Sequence, residues 1–191
     1  MPKSLPALFC DVDGVLAFQP EGTILAVNAR FGTSYLLADS ASAYPFTASL
    51  TPGQQQWVTA NKAVIAANLA PDTRAIRVLA KAAKAGYAVT IATERDPVLR
   101  DLTAAWLKYW QVPYGILAVV GPGNKGPLLD PYGKGNPAVL IDDDPAKEAF
   151  ARPGVQVWVP PRPWTPQGKP PDGVTRFSDW REVCKQLGLK K

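Results

Sequence analysis

Two aspartates one residue apart, Asp11 and Asp13, close the apolar run Leu8-Phe9-Cys10 and are followed at once by Gly14. Side chains alternate across a strand, so Asp11 and Asp13, two positions apart, share a side, and at or just past the strand's end both stand at the sheet edge. Gly14 allows a sharp turn there. Carboxylates in that position are costly to bury without a cation or hydrogen-bond donors, and the carboxyl ends of strands are where open α/β sheets keep their ligands. Asp and Gly also serve an ordinary strand-to-turn boundary, so the pair needs support from the rest of the chain.

That support comes from two further strand ends. The run Ala88-Val-Thr-Ile-Ala-Thr93 finishes at Thr93 and leads into Glu94, Arg95 and Asp96, while Ala138-Val-Leu-Ile141 leads into Asp142, Asp143 and Asp144. If these strands are parallel neighbours of the first, Asp11, Asp13, Thr93 and the Asp142 cluster meet at one edge of a sheet. Several oxygen ligands without imidazole or thiolate suit a hard cation, and magnesium takes a few carboxylates together with water and substrate phosphate. The residues therefore point to magnesium-dependent phosphoryl transfer.

Composition narrows the alternatives. The chain has 191 residues, 47% hydrophobic and 19% charged, enough for one domain with a modest insertion. It contains no histidine, which excludes a Ser-His-Asp triad, a His-ligated zinc and a His general base. The two cysteines, Cys10 and Cys184, read as small hydrophobes and not as a disulfide framework. No apolar stretch approaches the roughly 18 residues of a membrane span. The start Met1-Pro-Lys-Ser-Leu-Pro6 shows no signal-peptide pattern, so a cytoplasmic protein without a membrane partner is expected. A net charge of +5 and a pI near 9.2 favour an anionic substrate or partner.

The elements that must position these groups are five short apolar strands, at 7–12, 87–92, 116–120, 138–142 and 155–159, with helical patterns between them. One helix is expected over 73–85, from Asp72 to Gly86. A second is expected over 97–110, with Asp96 as N-cap and Val98, Leu102, Ala105, Trp106 and Tyr109 on one face. A third follows the Asp179/Glu182 pair and carries Trp180, Val183, Cys184 and Leu187 as its apolar stripe. Alternation of strand and helix predicts a three-layer α/β fold around a mostly parallel sheet.

The interval 17–72 is longer than a crossover requires and so carries an insertion. A helix is expected from the Thr51-Pro52-Gln54 capping box to about Leu69. The insertion's aromatics, Phe31, Tyr35, Tyr44, Phe46 and Trp57, read as its own small core, whereas Phe18 lies close enough to the aspartates to face the site. The Pro-rich stretch 160–171 reads as a surface loop, with Arg162 and Trp164 as candidates for the site wall.

These motifs resemble those of the haloacid dehalogenase (HAD) superfamily of aspartate-nucleophile phosphohydrolases. Asp11-Val-Asp13-Gly14-Val15 is similar to its first motif, Thr93 to its second, a lysine to its third and Ile141-Asp142-Asp143 to its fourth. The resemblance implies a Rossmann-like core over 1–17 and 73–191 and a helical cap over 18–72. It implies Asp11 as nucleophile and Asp13 as acid and then base, with Thr93 and the lysine on the phosphoryl oxygens. Mg2+ would be held by Asp11, the main-chain oxygen of Asp13, and Asp142 or Asp143. Both Lys125 and Lys134 precede the Asp pair; Lys125 follows the third strand at the edge where active groups gather, Lys134 precedes the fourth, and position favours Lys125. A further likeness, on Asp13-Gly-Val-Leu-Ala17 with Phe18, Val27-Asn-Ala-Arg-Phe-Gly32 and Pro161-Arg-Pro-Trp164, is to the 5'-nucleotidase and deoxyribonucleotidase branch. It implies a nucleoside monophosphate substrate, with Phe18 stacking on the base and Glu94 and Arg95 beside the phosphate; a surface partner for Glu94 or Asp96 is an equal reading of Arg95. The alternatives are a phosphatase of nucleic-acid 3' ends and an inactive nucleotide-binding module.

Overall fold

In the computed structural model, which describes residues 6–41 and 45–189, six parallel strands form one sheet in the order β3-β2-β1-β4-β5-β6. The strands are β1 (Ala7–Cys10), β2 (Val89–Thr93), β3 (Ile116–Val119), β4 (Ala138–Ile141), β5 (Val155–Val159) and β6 (Val174–Arg176). The first five fall on the predicted runs. The sixth was not expected, because three residues with only Val174 buried carry no periodic signal.

Period-two alternation assigns the two faces of the sheet. Leu8, Cys10, Val139 and Ile141 enter the larger core, together with Leu79, Trp106, Trp180 and Val183 from α4 (Thr73–Lys84), α5 (Arg100–Tyr109) and α7 (Trp180–Gln186). Phe9, Ala138 and Leu140 face the other way, onto Leu129 of the short α6 (Gly126–Leu129) and onto Tyr132 and Phe150. Strands covered on both faces are apolar throughout, which is why their runs were readable.

The insertion leaves and rejoins the core through adjacent segments: Phe18 N–H donates to Ala70 O at 2.9 Å and Asp72 N–H to Leu16 O at 2.7 Å. Between them lie α1 (Gln19–Phe31), α2 (Pro52–Ala60) and α3 (Lys62–Ala67) with short 3-10 turns. Ile24, Val27, Phe46 and Leu50 form a separate small core, with Tyr35 and Trp57 packed on it and Phe31 edge-on to Trp57. Tyr44 lies outside the described residues.

Three details depart from the sequence expectation. Helix α1 was unforeseen because its long apolar residues Leu25 and Phe31 face solvent. The helix after the Thr51–Gln54 capping box breaks at Asn61, whose side chain donates to Trp57 O at 2.8 Å, and so becomes α2 and α3. On α5 the buried face is Thr103, Trp106 and Leu107, while Val98 and Tyr109 are exposed: a 3-10 turn over Pro97–Leu99 rotates the start, and Thr103 is drawn inward by a hydrogen bond from Arg95.

Candidate active site

Strand β1 has β2 on one side and β4 on the other, so the chain's direction of winding reverses there, and the crevice beyond those carboxyl ends is the place for a ligand. Asp11 N–H donates to Ile141 O at 2.9 Å, which places Asp11 beside the end of β4. Thr93 ends β2, and Asp142 and Asp143 follow β4 directly. Immediately after Asp11 the chain coils, with the amides of Leu16 and Ala17 both donating to Val12 O at 2.9 and 2.8 Å. Gly14 sits at φ +76°, and any Cβ there would collide with the Asp143 carboxylate. Glycine is required on both counts.

These residues line one cavity of about 240 Å³, formed by Asp11, Asp13, Thr93, Glu94, Arg95, Lys125 and Asp142 to Asp144, with Gln19 and Lys147. Lys125, 1% exposed, puts Nζ 2.5 Å from Asp142 Oδ2 and 3.2 Å from Asp11 Oδ1. Lys134 lies elsewhere, in the tight turn Gly133–Asn136 that leads into the opposite end of β4. Burial lowers a lysine's basicity, but the Asp11 and Asp142 charges outweigh it and raise that of Lys125.

Asp11, Asp142 and Asp143 are all buried and offer carboxylate oxygens within 4.8 Å of one another. One lysine does not balance them. Burial lifts the Asp11 carboxyl to about 7, with Lys125 opposing and the charges of Asp142 and Asp13 adding. Burial and the Asp11 charge push the Asp143 carboxyl well up. Asp11 Oδ1 is buried and accepts no well-directed hydrogen bond among the described residues. An oxygen-only cluster of three buried carboxylates that one lysine does not balance fits a hard divalent cation. Asp11, Asp142 and Asp143 would hold it.

Asp13 is placed differently. Arg95, 7% exposed, grips it with two parallel bonds, Nε to Oδ2 at 2.8 Å and Nη2 to Oδ1 at 2.7 Å, while Nη1 donates to Thr103 Oγ1 at 3.2 Å. Glu94 and Asp96, the surface partners weighed from sequence, pair instead with Lys147 at 2.8 Å and Lys62 at 2.6 Å. Phe18 is not among the residues lining the cavity; its ring carries the Arg162 guanidinium 5.5 Å from the centroid.

Lys147 and Gln19 line the cavity without having been picked out from sequence, whereas Arg162 and Trp164 were expected at the site wall. Lys147 is 8% exposed and held by Glu94 and by Asp144 at 3.2 Å; its i+3 spacing from Asp144 was the available signal. From the Pro-rich loop, Arg162 Nε donates to Gly14 O at 2.7 Å and Nη1 to Glu21 at 3.1 Å, and Trp164 Nε1 donates to Asp143 O at 2.9 Å. The loop thus fastens the turn after Asp13 and the Asp pair after β4.

No protein-family model matches the sequence, and no curated protein matches it. Solved structures do. A haloacid dehalogenase-like hydrolase from Streptococcus pneumoniae is 17% identical, with 96% of this chain and 98% of that chain covered and a TM-score of 0.66. A HAD-superfamily hydrolase of subfamily IA from Geobacter sulfurreducens is 15% identical, with 98% of each chain covered and a TM-score of 0.62. Protein tyrosine kinase A of Mycobacterium tuberculosis is 17% identical over 97% of this chain and all of that one, with a TM-score of 0.64. At such identities the likeness establishes the fold: the chain has the Rossmann-like α/β fold of HAD hydrolases, with a helical insertion after the first strand. No helix among the described residues is long and apolar enough to cross a membrane.

Proposed function

We propose that this protein is a magnesium-dependent phosphomonoester hydrolase acting on nucleoside or deoxynucleoside monophosphates. The observation that carries the reading is Asp11: buried, with Oδ1 3.2 Å from Lys125 Nζ and inside a cavity shared with Thr93, Asp142 and Asp143. Asp11 attacks phosphorus and the bond to the ester oxygen breaks, giving an aspartyl phosphate. Asp13 gives its proton to the departing oxygen; it then takes one from the water that attacks the phosphoryl group, releasing phosphate and restoring Asp11. Thr93 Oγ1 and Lys125 Nζ hold the phosphoryl oxygens as charge shifts among them. Magnesium on Asp11, Asp142 or Asp143 and the main chain of Asp13 would supply charge neutralisation between nucleophile and phosphate.

The leaving group has a second space. A cavity of about 200 Å³ adjoins the first, sharing Asp13, Gln19 and Arg95, and is walled by Val58, Ile65 and Leu69 from the insertion side and Leu99 from the core. A largely apolar recess beside a phosphate site suits a nucleobase. In this scheme residues 18–72 act as the cap and 1–17 with 73–191 as the catalytic core. The free thiols Cys10 and Cys184 accord with a cytoplasmic setting.

One observation favours a second reading, a nucleotide-binding module without turnover: both Asp13 oxygens are taken by Arg95, and proton transfer requires that pair to open. The test is phosphate release from a panel of 5' and 3' nucleoside monophosphates, sugar phosphates and a 3'-phosphorylated oligonucleotide, with magnesium and with EDTA. Magnesium-dependent turnover of mononucleotides, reduced by about 10⁴-fold or more in Asp11→Asn, is expected. Nucleotide binding without turnover would establish the second reading, and turnover of the oligonucleotide alone would move the assignment to end processing.

A further inference from the structure

The net charge of this chain is not spread evenly along its sequence. Segments 72–84 and 179–191 hold eight of the 21 Lys and Arg residues and three of the 16 Asp and Glu; the remainder has thirteen of each, so these two segments carry the whole +5. Segment 72–84 is the N-cap and body of α4, and 179–191 begins with α7, which packs beside it.

On α4 the residues Arg74, Arg77, Lys81 and Lys84 are exposed at spacings of three and four, which sets a cation on one face at each turn, about 5 Å apart. From α7, exposed Arg181 and Lys185 add to them. The local acids are engaged. Asp72 is buried and accepts from Arg74 and from Trp180 Nε1 at 3.1 Å, Asp179 accepts from Arg181, and Glu182 accepts from Ser178. Between the two helices runs a groove of about 310 Å³ with Val78, Trp180 and Cys184 in its lining and Arg74, Arg77, Lys81 and Arg181 along its sides. A smaller recess of about 50 Å³, sharing Arg74, Asp179 and Trp180, joins it to Val15 and Arg162 next to the turn after Asp13.

We infer that the α4/α7 groove binds single-stranded nucleic acid. A row of cations at helical pitch tracks a phosphate backbone, and an apolar floor between cationic walls accepts base faces or edges without reading sequence. A membrane surface fits less well, because the exposed face of α4 presents Thr73, Ala80 and basic residues and no large apolar side chain to enter a bilayer. The Arg74 end of the groove is the end nearest the turn after Asp13. The inference stands on the charge distribution and the groove, independently of whether the cavity hydrolyses phosphate esters.

The experiment is fluorescence anisotropy of a fluorescein-labelled 15-nucleotide single strand with the full chain, between 25 and 200 mM NaCl. Binding is expected, with a log–log salt slope of about −3 for four phosphate contacts. The triple variant Arg77→Gln/Lys81→Gln/Lys84→Gln should bind at least ~10-fold more weakly at 50 mM and lose about 2 from that slope. A control with the same charge change elsewhere, Lys108→Gln/Lys134→Gln/Lys169→Gln, should stay within about twofold. If the triple variant melts early, exposed Lys84→Glu alone carries the test, with at least ~3-fold weaker binding expected. No binding at 25 mM, an equal loss in the control, or stronger capture by phosphatidylserine vesicles than by the strand would overturn the inference.

Discussion

Asp11 and Asp13 are separated by a single residue in sequence and face different kinds of cation. On the Asp11 side the cation is a lysine, a compact charge shared between Asp11 and Asp142 that leaves Asp11 Oδ1 without a well-directed bond. On the Asp13 side it is a guanidinium whose fork satisfies both oxygens and whose remaining nitrogen is anchored to Thr103. A shared point charge leaves a carboxylate oxygen available to an incoming electrophile or metal, whereas a bidentate fork fixes its carboxylate and withholds it. For the proposed reaction the two carboxylates are therefore unequally ready: Asp11 is open to chemistry as it stands, and Asp13 would have to be released.

The largest effect that would break this contrast is Lys125→Ala. It leaves three buried carboxylates without their cation, and we expect ~3–5 kcal/mol of destabilisation together with about a 10²- to 10³-fold loss of turnover. Melting temperature and kcat on the best substrate of the panel check both. Next comes Arg95→Gln, which removes the fork. If release of Asp13 limits the reaction, kcat rises by about tenfold while KM stays within about threefold; a rise in KM with kcat unchanged would instead make Arg95 a substrate contact.

A third test sharpens the contrast through pH. The folded Asp11 carboxyl titrates at about 7, above its value in an unfolded chain, because burial disfavours the charged form. The native state therefore binds the proton more tightly, and the associated stability is fully present below about pH 4 and is lost as pH rises through about 7. Metal-free wild type should fall in melting temperature across that window relative to Asp11→Asn, and magnesium should reverse the fall above pH 7. An identical pH profile in the two proteins would remove Asp11 as the source. The smallest effect is expected from Trp164→Phe, which keeps an aromatic ring in place and leaves Asp143 O without its indole donor. About 1 kcal/mol of stability should be lost, read as a shift in denaturant midpoint.

How much of this was legible in the sequence depends on the distance over which each feature is encoded. The strands from β1 to β5 are local: apolar runs bounded by turn residues, with β1, β2 and β4 buried on both faces and the edge strand β3 more open. Alternating elements then place Asp11, Thr93, Lys125 and Asp142 along one sheet edge by topology alone. The grip of Arg95 on Asp13 spans 82 positions and depends on β2 lying beside β1 and on Thr103 turning inward, so no spacing rule contains it. Helix α1 was hidden by its exposed Leu25 and Phe31, and β6 by having only three residues. The charge asymmetry behind the α4/α7 groove was present in the sequence, but it becomes a surface only once the two helices pack side by side.

The bonds from Arg162 to Gly14 and from Trp164 to Asp143 reach 148 and 21 positions back along the chain. They set an order of events during synthesis. The turn after Asp11 is made within the first 17 residues, yet the loop that braces it is among the later segments to emerge. A growing chain can therefore assemble β1 to β4 while its acidic edge is still unbraced, and that edge takes its final form only after residue 164 has left the ribosome and folded back.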